Sequence, residues 1–200
     1  MESRGDPQLV AIPVFVTGSL ALGFQLVEFV SGAALGAPLA VCLMATGLLL
    51  LLSTVWAAAV GQSFVAAVTG LFGGFWLSYG TLVLALIHGW FGIPEGDVTR
   101  TVALFAISWA AIFFLLTIAS LRLPVIYPAI IGLVVVALCL VAAAYMRTPV
   151  DTDLLQAAGY VVFAFAGLGA SVFLTVASVS LGGRPFPPLG PPVVRGGGAA

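Results

Sequence analysis

Long apolar stretches, separated by short polar or glycine-containing segments, set the pattern of this 200-residue chain. A helix needs about 20 apolar residues to cross the hydrocarbon core of a bilayer, and six stretches meet that length. They are Leu9–Val30, Ala37–Val60, Phe64–Trp90, Val102–Leu121, Val125–Tyr145 and Leu154–Leu181. These stretches are continuous rather than alternating, and a backbone in lipid must satisfy its own hydrogen bonds. The pattern therefore predicts an all-α membrane protein, a six-transmembrane-helix bundle.

The segments between the spans are too short to hold a soluble domain, the longest being Gly92–Thr101. We therefore expect residues 1–8 to form an N-terminal segment and residues 9–181 the transmembrane domain. Residues 182–200 form a tail rich in proline and glycine, which we expect to be extended or disordered because proline fixes φ and lacks a donor. The charged start and the length of the first apolar stretch argue against a cleavable signal peptide.

Composition supports the membrane assignment, and the positions of the arginines predict the orientation of the chain in the membrane. The chain is 62 % hydrophobic and 6 % charged, whereas soluble domains carry about 25 % charged residues. No basic patch for nucleic acid is present, since all six basic residues are scattered arginines. Four of them fall on the side of the termini and two on the other, so the positive-inside rule predicts cytoplasmic termini in the cell membrane. The first group is Arg4, Arg122, Arg184 and Arg195, and the second is Arg100 and Arg147.

The sequence contains few residues that could carry out catalysis. One histidine, no nucleophile–histidine–acid arrangement, no clustered metal ligands and no phosphate-binding loop predict a protein that is not an enzyme and needs no cofactor or metal. A passive channel, a secondary transporter or a structural membrane subunit remains. Glu28, near the end of the first span, is a candidate proton or solute relay because burying an ionisable group in a membrane is costly.

Uncharged polar residues within the spans are candidates for a solute path. In the first span these are Ser19 and Gln25, and in the third Ser78 and Tyr79. Ser171 and Thr175 lie on one face of the sixth span. Such hydroxyls can bind a small polar solute, or they can bond the carbonyl of the preceding turn or a neighbouring helix.

Glycines at small-xxx-small spacing, Gly32/Gly36 and Gly70/Gly74, allow helices to approach closely. They serve either packing within one chain or an interface between chains.

Three motifs resemble those of the acetate uptake transporter family. Residues 61–80, GQSFVAAVTGLFGGFWLSYG, resemble its third-span signature. Asp6-Pro7-Gln8-Leu9, followed by Phe15, is similar to its opening motif, and RPFPPLG from Arg184 is similar to its tail motif. The signature positions that match are Gly61, Phe64, Gly73, Phe75, Trp76 and Leu77.

The resemblance implies transport of acetate and other short monocarboxylates, in some members succinate, by proton symport or through a channel-like path. It also implies a homo-hexamer in which each subunit holds its own pore. The narrowest point of that pore would be formed by Phe15, Phe72 and Leu133. The chain offers no buried lysine or arginine to pair with a carboxylate, so we expect the acid to pass protonated or hydrogen-bonded.

Several signature positions depart from the family pattern and indicate a divergent member. Asp6 stands where the family has asparagine, Gln62 follows Gly61 in place of asparagine, and Phe72 replaces a tyrosine. The opening motif lacks its second proline, and Trp56-Ala57-Ala58 lacks a glutamate. Two other functions stay open: a channel for a neutral solute such as urea, an amide or ammonia, and a structural or accessory subunit.

Overall fold

The computed structural model of the chain describes residues 5–30 and 36–194. Within them, six helices are long and apolar enough to cross a membrane, which confirms the predicted fold class. The first span is α1 (Gln8–Leu26). The second begins as α2 (Gly36–Ala40), continues as a π-helix (Val41–Gly47) and ends as α3 (Leu48–Ala59). The other spans are α4 (Ser63–His88), α5 (Val98–Ala119), α6 (Ile126–Tyr145) and α7 (Thr152–Ser180).

Local chemistry at the helix ends accounts for the boundaries. α1 ends at Leu26 rather than Val30, and Glu28 just beyond it has a left-handed φ of 58°. α4 ends before Gly89, whose φ of 66° gives the usual left-handed C-cap. Asp151 caps α7, since its carboxylate accepts a hydrogen bond from the Leu154 N–H at 3.1 Å.

Asp151 also pairs with Arg147, four residues before it in the connecting loop. The Leu154 N–H and the Arg147 guanidinium hold the pKa of Asp151 below its usual value. The carboxylate therefore stays ionised at this helix start, where the helix dipole favours negative charge.

The spans close into a ring in the order second span, α1, α7, α6, α5, α4 and back to the second span. α1 packs along α7, α6 lies between α5 and α7, and α3 packs along α4. α4 and α5 approach each other less closely and are joined by aromatic side chains, with Phe75 and Trp109 ring centroids 5.6 Å apart. The buried core lies at the centre of this ring and includes Phe15, Phe72 and Phe113.

The π-helix brings the second span against α1. Thr46, which is fully buried, donates a hydrogen bond from its hydroxyl to the Val14 carbonyl of α1 at 3.0 Å. Gly18 makes this approach possible, because a Cβ at that position would lie 2.4 Å from the Thr46 Oγ1. π-helical turns are rare and cluster at functional sites, so this widened turn directs attention to the α1 face it contacts.

Gly70 and Gly74 pack against other spans of the same chain. A Cβ at Gly70 would lie 3.3 Å from Thr54 of the second span, and one at Gly74 would lie 3.4 Å from Trp109 of α5. Both glycines therefore lie close against other spans of the same chain, which favours the intramolecular role of this pair.

Some sequence predictions fall outside the described residues. They are Gly32 of the Gly32/Gly36 pair, the arginines Arg4 and Arg195, and the outer parts of the N-terminal segment and of the tail, residues 1–4 and 195–200.

The tail between residues 182 and 194 is extended and returns along the bundle. The Val125 N–H donates to the Pro191 carbonyl at 3.0 Å, and the Thr175 hydroxyl donates to the Pro187 carbonyl. These bonds hold the tail across the end of α6 and α7. Both ends of the described chain therefore lie at the same end of the bundle, which we call the termini side, and the opposite end is the loop side.

Candidate functional site

Two cavities lie inside the ring of helices, one behind the other along its axis. The termini-side cavity has a volume of about 400 Å³ and the loop-side cavity about 340 Å³. Phe15 of α1 and Phe72 of α4 line both of them, so their rings stand between the two spaces. We call this pair the phenylalanine septum.

The phenylalanine septum is held by neighbouring rings. Phe15 meets Phe72 edge to face with ring centroids 4.9 Å apart. Phe165 of α7 stacks on Phe15 at 5.8 Å, and Phe113 of α5 stacks on Phe72 at 4.5 Å. Such pairs are favourable arrangements of aromatic quadrupoles, which fixes the ring positions. All four side chains are buried, and none carries a polar atom.

The loop-side cavity holds an amide–phenol pair in an otherwise apolar wall. The Tyr79 hydroxyl donates to the Gln25 Oε1 at 3.1 Å, and both side chains line the cavity. Tyr145 and Trp76 line it as well. The Trp76 indole N–H is buried and has no acceptor among the described residues. Buried polar groups usually have partners, so this donor calls for an explanation.

The termini-side cavity repeats the same pairing. The Tyr127 hydroxyl donates to the Gln8 Oε1 at 3.1 Å, and both residues line the cavity. Leu189 of the returning tail forms part of the wall, so the tail narrows this end of the cavity. Thr69 adds a hydroxyl, which is hydrogen-bonded to its own helix and to Thr54.

Charge is absent from both walls as far as the described residues show. No Asp, Glu, Arg or His side chain is among those that line either cavity, and the sequence has no lysine. The described residues also contain no group of three or more His, Cys, Asp or Glu side chains placed to hold a metal ion. The interior therefore offers hydrogen bonds and apolar surface to a solute, without a fixed ion.

Phe15, Phe72 and Tyr79, expected along the path, do line cavities, whereas Leu133 does not. Leu133 packs against the core from outside the cavity walls, and its neighbours Val134 and Ile130 take the lining positions on α6. Glu28 lies beyond the end of α1 and is exposed.

The predicted hydroxyls bond to backbone carbonyls and line neither cavity. Ser19 donates to the Phe15 carbonyl at 2.7 Å, Ser78 to Phe75 at 3.0 Å and Ser171 to Leu168 at 2.7 Å. The Thr175 hydroxyl shares its one hydrogen between the Ser171 carbonyl of its own helix and the Pro187 carbonyl of the tail. Of the two roles that the sequence left open for these four hydroxyls, they take the second, which is to bond a backbone carbonyl and not a solute.

The residues of the family motif build walls and close packing. Pro7 is buried at the start of α1, and Asp6 accepts a hydrogen bond from the Gln8 N–H at 2.9 Å. A Cβ at Gly73 would lie 3.0 Å from Leu51, so this glycine lets α4 approach the second span. Leu77 packs against Gly47 of the π-helix in the same way. Phe75 and Trp76 line the loop-side cavity.

Sequence reasoning missed several wall residues. Tyr127 and Phe165 were not singled out, Gln8 was named only as part of the opening motif, and Gln25 was one polar residue among others. For Gln25, its place within a span was the available signal, because an amide has more hydrogen-bonding groups than its own helix can satisfy.

Comparison of the chain with known protein families finds a match to one family model. The model of the GPR1/FUN34/yaaH family matches residues 2–181. The solved structure of the bacterial acetate channel SatP aligns with a TM-score of 0.83 at 15 % identity, covering 93 % of this chain and 99 % of that one. That likeness supports the six-helix fold.

Two curated yeast proteins are similar over part of their length. The Meiotically up-regulated gene 86 protein of Schizosaccharomyces pombe is 31 % identical over 107 residues, which are 51 % of this chain and 34 % of that protein. Ammonia transport outward protein 2 of Saccharomyces cerevisiae is 28 % identical over 104 residues, 49 % of this chain and 36 % of that protein. The matches thus span about a third of these relatives.

Proposed function

Because this chain belongs to the GPR1/FUN34/yaaH family, we propose that it is a membrane channel or transporter for acetate and other short-chain carboxylic acids. The family predicted from the third-span motif is thereby confirmed. The acetate channel among solved structures of the same fold supports a transport protein rather than an enzyme.

The observation that carries the proposal is the phenylalanine septum between two uncharged cavities. A carboxylate in an apolar constriction without a counter-ion is strongly disfavoured, and the described walls supply no cation. A protonated carboxyl group avoids that cost and keeps one donor and one acceptor for the hydrogen-bonding groups on either side. The proton therefore travels with the acid, as symport or as the neutral molecule.

Flux at several pH values tests this function. Purified protein in liposomes is given labelled acetate, and uptake by protein-free liposomes of the same lipid is subtracted. We expect the protein-dependent rate to rise as external pH falls toward the pKa of the acid, about 4–5 for a carboxyl group. A rate equal to that of protein-free liposomes at every pH would contradict the acetate function.

A neutral solute is the second candidate. The Saccharomyces cerevisiae relative is named for ammonia transport, and uncharged walls suit ammonia, urea or a short amide as well. Parallel uptake of labelled methylamine and urea separates the two functions, because a neutral-solute channel would carry these and leave acetate at background. A structural subunit would carry none of the three.

The assembly and its orientation belong to the same proposal. We propose a homo-oligomer, a hexamer by family resemblance, in the cell membrane with both termini in the cytoplasm. Many large apolar side chains are exposed on the outside of the ring, among them Leu52, Val55, Leu104 and Leu115, and lipid or neighbouring subunits would cover them. Light scattering of the purified protein and protease access to a tagged terminus test the two parts.

A further inference from the structure

We propose that Gln25 and Tyr79 form a binding station that holds an oxygen atom of the solute in the loop-side cavity. This inference rests on the proposed function and names the residues that select the solute. Both side chains line the same cavity, Gln25 from α1 and Tyr79 from α4.

The hydrogen bond between the two helices leaves a defined set of free groups. The Tyr79 hydroxyl donates to the Gln25 amide oxygen at 3.1 Å, so that oxygen is occupied. The amide –NH₂ of Gln25 then remains as a donor, without a hydrogen-bond partner among the described residues. The nearby Trp76 N–H also lacks an acceptor in the described chain, but its nitrogen is buried from the cavity space, so it is not part of the station. The station therefore presents the Gln25 amide donor to the cavity.

Donors select the chemistry of the ligand. A carboxyl, carboxylate or amide carbonyl oxygen accepts hydrogen bonds from such groups, whereas an ammonium ion has donors alone and finds no anion in the described walls. The Gln25 side chain is part-buried in an apolar wall, so a solute oxygen that accepts a hydrogen bond from its amide gains favourable free energy on arrival. The station accordingly favours an acid over a cation of similar size.

A second amide–phenol pair stands on the other side of the septum. Gln8 and Tyr127 repeat the geometry at the same oxygen-to-oxygen distance of 3.1 Å. Gln8 and Gln25 begin and end the same helix, about 25 Å apart along its axis at the usual rise per residue. A solute thus meets one amide before the phenylalanine septum and another after it. Both amides are uncharged, so neither forms an ion pair with the solute.

Substitution of Gln25 tests the station through solute affinity. Gln25→Leu keeps the volume and removes the amide, so we expect the half-saturation concentration for acetate uptake to rise about tenfold, the usual effect of losing a hydrogen bond to a charged or strongly polar group. Tyr79→Phe frees the amide to rotate, and we expect a rise of about threefold. The matched control is Gln156→Leu, since Gln156 lies at the start of α7 and lines neither cavity.

Gln25→Glu gives the sharper readout because it exchanges donors for acceptors. We expect acetate uptake to fall at least as far as in Gln25→Leu, while methylamine uptake does not fall. An equal fall for both solutes would point to a structural defect and overturn the station, as would unchanged acetate affinity in both Gln25 variants. Thermal melting in detergent identifies variants that fail to fold, and Tyr79→Phe then carries the test.

The two proposals fail in different ways. If wild-type protein carries no acetate above protein-free liposomes, the proposed function is wrong. If wild-type protein carries acetate and the Gln25 and Tyr79 variants carry it with the same half-saturation concentration, the station alone is wrong.

Discussion

Replacing Phe72 by alanine should join the two cavities. The ring removed occupies roughly 100 Å³, and it stands between spaces of about 340 and 400 Å³. Phe15 then remains as one side of the septum, without the edge-to-face partner 4.9 Å away. We expect the merged space to admit water at the level of the septum.

The expected gain in flux follows from desolvation. Passing a hydroxyl or carbonyl group through an apolar constriction without hydrogen bonds costs about 1–3 kcal/mol. Water at the septum should remove most of this desolvation cost. Since each 1.36 kcal/mol removed from a barrier raises the rate tenfold, acetate permeability should rise about tenfold. Discrimination between acetate and the longer butyrate should weaken at the same time.

The variant has a stability cost that must be measured alongside. Phe→Ala changes in cores cost about 3–5 kcal/mol, and we expect the low end because the Phe72 ring already borders two cavities. The lost stacking on Phe113, with centroids 4.5 Å apart, is included in that figure. Thermal melting and gel filtration in detergent show whether the protein remains folded.

The assay is uptake of labelled acetate and butyrate into liposomes with equal amounts of folded protein. Phe163→Ala is the matched control, because Phe163 packs on Phe24 at 5.1 Å and lines neither cavity. Folded Phe72→Ala protein with wild-type flux and selectivity would refute the septum as the constriction. An equal rise in Phe163→Ala would show a general leak instead.

Three further predictions concern the helix packing and capping that support the two cavities. Gly18→Ala should lower the melting temperature markedly, because its Cβ would lie 2.4 Å from the Thr46 Oγ1, whereas Gly132→Ala, with its nearest neighbour at 3.7 Å, should be tolerated. Thr46→Val should cost about 1–2 kcal/mol by removing the buried bond to α1, measured by the same melts. Asp151→Ala should lower the melting temperature at pH 7. Because the folded-state pKa of Asp151 is lowered, first by the Leu154 N–H, its contribution is full above the unfolded value of about 3.9 and is lost as pH falls through the lowered pKa. The difference from wild type should therefore close in acid, and a difference that persists there would contradict the carboxylate as its source.

The boundaries of the spans show how far local reasoning reaches. The start of α7 was predicted at Leu154 and lies at Thr152, where Asp151 provides the cap. The end of α1 came earlier than hydropathy indicated, because hydropathy does not register the left-handed backbone at Glu28. Hydropathy likewise gave no sign of the π-helix in the second span, since that segment is as apolar as its flanks.

The polar residues of the path separate into two kinds for a physical reason. A serine or threonine hydroxyl reaches the carbonyl three or four residues earlier, so Ser19, Ser78 and Ser171 are satisfied within their own helices. A glutamine amide has too many groups for that and bonds to another helix, as Gln25 does with Tyr79. The hydroxyls in the sequence therefore indicated a more polar path than the structure has, and Gln8 and Gln25 are the polar residues that line it together with tyrosines.

The sequence by itself determined that the chain crosses the membrane six times and which family it belongs to. Both results depend only on the order of residues along the chain. The number of spans follows because the cost of placing polar groups in lipid is summed over each segment, and the family follows because a motif is a fixed order of residue types. Only the tertiary structure decided which faces of the helices point inward. The phenylalanine septum joins Phe15 and Phe72, and Gln8 and Gln25 each meet a tyrosine on another span, through contacts between residues far apart in the chain. Every face of these helices is apolar enough for lipid, so hydropathy cannot tell the lining of a path from the outside of the bundle.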